Sequence, residues 1–153
     1  DALLRHREFY PERADEYGPI FRSLLDHGAK VTAQAYAEAV LDRQEITATL
    51  ENIFTRCDVM LCPSTPTPAP PQSLVPPQQV SPPEEMPKLV RFTAPFNYSG
   101  SPSVTLPNGF NQAGLPLSMQ LIGRLGDEAT IIRAAHAYEQ TTEWHKARPA
   151  FTP

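Results

Sequence analysis

Eighteen of the 153 residues are proline, and eleven of those lie between Pro63 and Pro95. Proline lacks a backbone N–H and fixes φ, so neither a helix interior nor a central strand can run through such a stretch. The backbone chemistry therefore splits the chain in two. An extended, donor-poor excursion separates the parts. A connection this long is more often functional or linking than passive packing.

The part before the excursion predicts helices. Residues 2–9 have helical character, and Pro11 suits the first turn of a second short helix. Gly18-Pro19 ends that helix. A third helix runs through Ile20, Phe21, Leu24 and Leu25, with Gly28 as its expected stop. Thr32 is the expected N-cap of a long helix over 33–56. Its apolar stripe is Tyr36, Ala39, Val40, Ile46, Leu50, Ile53 and Phe54. Arg43 falls inside the stripe and needs an acceptor if buried. It either snorkels or pairs at the stripe's edge, or it positions a nearby loop.

The part after the helices predicts strands. Asp58–Cys62 is a short apolar run that Pro63 stops, suited to a buried strand of a parallel or mixed sheet. Ser103–Leu106 is a second strand, with Asn108-Gly109 as a turn signal and Gly114 ending the connection. Leu117–Gly123 is a third strand. Asp127 is the expected cap of a helix over 128–143 with the stripe Ile131, Ile132, Ala135, Tyr138 and Thr142. The reading is an α/β chain, with a mixed sheet flanked by helices. It divides into a helical region, 1–57, and a strand-bearing region, 58–153, which holds the proline-rich loop 63–95 and the last helix. Together they predict one incomplete domain. Three strands leave open edges, so a larger sheet is expected to be missing and the chain is expected to form a homo-oligomer.

Charge and cysteine content exclude several classes. The formal charge is -4, and Arg5 and Arg7, the only basic cluster, are offset by Glu8, Glu12 and Asp15. No nucleic-acid partner is expected, because a phosphate backbone requires a basic patch. No membrane partner is expected, because no long uncharged apolar window occurs. The charged start and the lack of an initiator Met predict no signal peptide and a trimmed chain. Cys57 and Cys62 are not spaced for zinc, and their low number suits a reducing, cytoplasmic compartment. His6, His27, His136 and His145 have no ligand spacing, so neither metal nor cofactor is predicted.

No nucleophile arrangement is legible. Asn97-Tyr98-Ser99-Gly100-Ser101 lacks the G-x-S-x-G elbow, and no lysine stands three residues after a serine. Glu84-Glu85 are neighbours in a proline loop, not carboxylates held across a substrate. Ser64 and Thr65 have no base nearby in sequence. A non-catalytic reading also exists. Pro63-Ser64-Thr65-Pro66 and Pro68-Ala69-Pro70-Pro71 resemble PxxP spacing, although no basic residue flanks them until Lys88.

Three stretches carry a resemblance. Asp58–Pro66 with Ala69-Pro70, then Thr93–Pro102, then Gly114–Gly123 followed by Asp127-Glu128, are similar in order and spacing to the amidase signature family. Tyr17-Gly18-Pro19 and Arg43 resemble its bacterial members. The resemblance implies the C-terminal portion of a longer amide hydrolase with a large mixed sheet. It implies a serine–cis-serine–lysine triad located in an N-terminal half that this sequence does not contain, so no catalytic residue carries over. It places Val90, Phe96 and Asn97 on the wall of a small-molecule amide pocket. Phe96 is otherwise core, and Asn97 otherwise bonds local backbone. In the A-type subunits of tRNA-dependent amidotransferases, the resemblance puts an acidic residue at the position of Val90. Valine there cannot pair with a substrate ammonium, which favours an apolar or uncharged amide. Membership in such an amidotransferase stays the alternative within the family.

Overall fold

Alternating side chains on one strand organise the whole structure, a computed structural model that describes residues 1–71 and 86–149. β1 (Val59–Pro63), β2 (Ser103–Phe110) and β3 (Pro116–Gly123) form one sheet in the order β1-β3-β2. β3 is the middle strand. Met60 faces Ile122 on one side of it, and Leu106 faces Met119 on the other. Among the described residues both pairings are antiparallel, including that of β1, whose apolar run alone suited a parallel or mixed sheet. Pro63 and Pro107 both lie in outer strands, the one setting where a strand tolerates a residue without an N–H.

Successive residues of β3 point to opposite faces. Met119 and Leu121 enter one core with Leu106, Ile131 and Ala135. Ile122 enters another with Leu50, Phe54 and Phe96. Helix α6 (Glu128–Glu139) therefore covers one face. The C-terminal end of α3 (Ala33–Ile53) and the short α5 (Ala94–Ser99) cover the other. The result is three layers in the α/β class. Ile122 and Phe54 are the most deeply buried residues of this second core, at 0% and 1% exposure. Burying a side chain of this size contributes roughly 1.5–3 kcal/mol. Arg124 locks the arrangement by donating from Nη2 to the Phe54 carbonyl at 2.7 Å, at the end of α3. Such a carbonyl has no partner inside its own helix.

Several element boundaries differ from the sequence reading. α1 spans only Ala2–His6, and turns follow where Pro11 has no N–H to extend the helix. A 3₁₀ turn, Ala14–Glu16, replaces the expected second helix. α2 spans Pro19–Lys30 and runs through Gly28. A Cβ at Gly28 would lie 3.6 Å from the Leu3 Cβ, an ordinary contact, and the helix ends two residues later at Lys30. Asn108-Gly109 is not a turn. β2 continues to Phe110 through an irregularity between Pro107 and Gly109. The reversal lies at Asn111–Leu115, where Asn111 Oδ1 accepts from the Ala113 and Leu115 N–H groups at 3.0 and 2.9 Å. α6 stops at Glu139 because the Thr141 and Thr142 hydroxyls take the Tyr138 carbonyl. Asp127 occupies the N-cap position, but its carboxylate accepts from the Thr130 hydroxyl instead of a backbone N–H.

Thr32 caps α3 as expected, accepting from the Ala35 N–H at 3.1 Å. The stripe above it is only partly buried. Leu50 and Phe54 reach a core, while Tyr36, Val40 and Ile46 are 53%, 39% and 36% exposed. Tyr36 reaches the Asp1 carboxylate at 3.4 Å and Val40 lines an open groove, so most of this stripe meets no core among the described residues. Of Pro71–Pro87, the stretch to which the sequence assigns no role, residues 72–85 lie outside the described residues.

The contact between the end of β3 and α6 gives a direct test. A Cβ at Gly123 would stand 2.7 Å from Ile131 Cγ2 and 3.4 Å from the Asp127 carbonyl. Gly123→Ala is expected to destabilise the chain by about 1–3 kcal/mol in denaturant unfolding. Gly18→Ala has nothing within 4 Å of the new methyl. Gly18 is the N-cap of α2, where alanine caps less well than glycine, so the change should cost no more than about 1 kcal/mol.

Candidate functional site

Both ends of the proline-rich excursion come to the middle of the sheet. β1 ends at Pro63 beside Gln120 of β3, and the chain re-enters from α4 (Met86–Val90) through Phe92 to α5. Val90 is the last residue of α4 and is half-buried. Its carbonyl accepts from the Thr93 N–H at 2.9 Å and the Thr93 hydroxyl at 3.2 Å. The Thr93 carbonyl in turn accepts from the Asn97 N–H at 3.0 Å. Val90 and Asn97 are therefore linked through one residue. Phe96 is set apart, its ring buried among Leu50, Phe54 and Ile122. The Asn97 side chain is exposed and makes no hydrogen bond among the described residues.

The serines are structural. Ser64 is buried, its hydroxyl 3.4 Å from Thr105 Oγ1 and its N–H donating to the Ser118 carbonyl. Ser99 and Ser101 are buried with their hydroxyls 2.8 Å apart, and Ser99 also bonds the Phe96 carbonyl at 3.2 Å. Among the described residues, no imidazole, ammonium or carboxylate bonds any of the three. Nucleophilic catalysis needs a base within hydrogen-bond reach.

A groove of about 540 Å³ opens between α3 and the end of α5, lined by Val40, Arg43, Gln44, Thr47, Ala48 and Ser99. Arg43 is exposed there. The Tyr98 hydroxyl donates to the Ala39 carbonyl and holds α5 against α3 beside it. A smaller cleft of about 230 Å³ lies between the segment after β1 and the β2–β3 edge, among Pro63, Thr65, Pro68, Asn108, Leu117 and Ser118.

The residue that the sequence reading overlooked is Gln120. In the strand pattern it looks like an ordinary polar alternate. It is in fact 2% exposed, with its amide donating to the Pro63 carbonyl at 3.1 Å, to the Phe92 carbonyl and toward Cys62 Sγ at 3.3 Å. The available signal was its place midway along an otherwise apolar strand, where a polar side chain must be bonded.

The sequence profile of the Amidase family matches residues 3–132. The chain belongs to the amidase family. It is 39% identical over 149 residues to AmiD of Mycobacterium tuberculosis, a protein provisionally named as an amidase, and covers 97% of itself but 31% of that protein. It is 41% identical over 114 residues to the A-type subunit of the glutamyl-tRNA(Gln) amidotransferase from Carboxydothermus hydrogenoformans, covering 74% of itself and 22% of that relative. A crystal structure of an amidase superposes with a TM-score of 0.78 at 24% identity, over 92% of this chain and 32% of that one. The chain thus spans about a third of the length of its relatives or less. The helices over both faces of the sheet are that family's fold.

The two thiols differ in environment. Cys57 is exposed, and Cys62 is half-buried in the core under Gln120. Burial pushes the Cys62 thiol up from its ordinary value of 9.0, and the Gln120 N–H offsets part of that rise. Because the folded value is the higher one, this thiol's contribution to stability is complete below pH 9.0 and is lost as pH climbs through the raised value. Iodoacetamide at pH 8 should therefore alkylate Cys57 about tenfold faster than Cys62, read by peptide mass spectrometry. Equal rates would contradict the burial of Cys62.

Proposed function

We propose that this chain forms the sheet and substrate-pocket wall of an amide C–N hydrolase, whose serine–cis-serine–lysine triad lies in the part of the family's length that the sequence does not span. The single observation that carries this is the amidase profile over residues 3–132, joined to a site whose serines have no base among the described residues. In this reading, 1–57 and 58–153 are halves of one incomplete domain. Phe54 and Ile122 in one core support that view. Val90 and Asn97 line the acyl or amide side of the pocket. Phe96 backs that wall from the core.

The substrate is a small amide without a charged amine near Val90. A valine supplies no counter-charge, and a buried ammonium without one costs several kcal/mol. The amidotransferase reading is favoured by relatives bearing that name at 34% to 41% identity. Val90 argues against it if free glutamine is the donor. The free thiols of Cys57 and Cys62 support a reducing, cytoplasmic setting. No helix among the described residues is long and apolar enough to cross a membrane. The open outer edges of β1 and β2 support homo-oligomer formation by the chain on its own. A monomer in sedimentation velocity would remove that part.

The test is direct. The purified 153-residue chain is expected to hydrolyse neither aryl nor alkyl amides. Turnover above background, abolished by Ala at Ser64, Ser99 or Ser101, would overturn the reading.

A further inference from the structure

Gln120 does more than fill a core position. Its side-chain nitrogen carries two N–H groups and faces three acceptors: the Pro63 carbonyl, the Phe92 carbonyl and Cys62 Sγ. Sulfur is the weakest of these acceptors, so the two carbonyls take the amide's two protons. They belong to different segments. Pro63 is the last residue of β1, where the proline-rich excursion leaves the sheet. Phe92 is where the excursion has returned, one residue before Thr93, whose carbonyl and N–H tie Asn97 to Val90. No other hydrogen bond among the described residues joins these two ends. With the side chain only 2% exposed, water cannot replace a missing donor.

We propose that Gln120 is a positioning residue for the substrate pocket. Its amide clamps both ends of the proline-rich excursion, and so fixes where Val90 and Asn97 stand relative to β1. The proposal rests on the reading above that these two residues line the pocket. Gln120 itself touches no substrate. It acts through the Phe92 carbonyl, and removing its donors lets the 91–97 segment drift while β3 stays paired on both sides. Small displacements of substrate-positioning groups have large kinetic effects.

The first arm uses the 153-residue chain. Arg91 is exposed beside the clamped carbonyl, and Arg133 lies in α6 on the other face of the sheet. Gln120→Met keeps the length and removes both donors. Trypsin should then cut after Arg91 about tenfold faster, with cleavage after Arg133 changed less than about twofold. Equal acceleration at both sites, or none at either, would overturn the clamp. Gln120→Glu is the second variant. As its carboxyl ionises against two carbonyl oxygens, amide exchange over 91–97 relative to α6 should rise with pH. The same ratio in the wild type should stay flat.

The second arm uses a complete amidase that contains this segment. Gln120→Met should raise KM about tenfold and leave kcat within about threefold. Val90→Asp, assayed in parallel on an apolar amide, reads the pocket assignment by itself. If Val90→Asp raises KM and Gln120→Met does not, the positioning role is wrong and the pocket reading stands. If neither moves KM while Arg91 is freed, the pocket reading fails, and the substrate role of the clamp fails with it.

Discussion

β3 is bonded on both sides, and its side chains alternate into two cores that do not touch each other. Through its pairing and these cores the strand locates β1, β2, α6, the end of α3 and α5. Met119 and Leu121 call for a cover on one face, and α6 supplies it. Ile122 calls for a cover on the other, and the end of α3 with α5 supplies it. The alternation that makes this possible also forces a polar residue, Gln120, into the second face. A buried amide is tolerated only when its donors are used. The chain meets that condition by bringing two distant segments to it. The segment that links Val90 to Asn97 is thus anchored, through the Phe92 carbonyl, by a group that the core could not leave unbonded.

The same frame explains what the chain lacks. α3 is long, capped and amphipathic, yet only its last turn meets a core, and Arg43 opens onto a groove beside Ser99. The outer edge of β1 has no partner among the described residues, and Leu61 on it is 61% exposed. The hydroxyls of the three buried serines, Ser64, Ser99 and Ser101, are engaged by Thr105, by the Phe96 carbonyl and by each other, and among the described residues no base bonds them.

The strands and α3 were legible because their ends carry unambiguous chemistry: Thr32 with a hydroxyl that caps the helix, Pro63 without an N–H. Local signals failed where a tertiary contact outweighed them. Gly28 looks like a helix stop, yet α2 runs on through it to Lys30. Asn108-Gly109 looks like a turn, yet Asn111 supplies the stronger side-chain acceptor three residues on. Phe96 was readable as either wall or core from its hydrophobicity, and only its neighbours decide between them. Gln120 was not legible as a site residue, because its acceptors come from residues 57 and 28 positions away along the chain.

Native-state amide hydrogen exchange on the wild-type 153-residue chain tests the organising role of β3 most directly. Backbone amides shielded on both sides of a sheet open only with the whole unit. The account predicts that the amides of Met119–Ile122 exchange last, with those of α6 and the final turn of α3 close behind, and with the amides of α1 and the first half of α3 far faster. Exchange of Met119–Ile122 as fast as that of the outer strand β1 would contradict it.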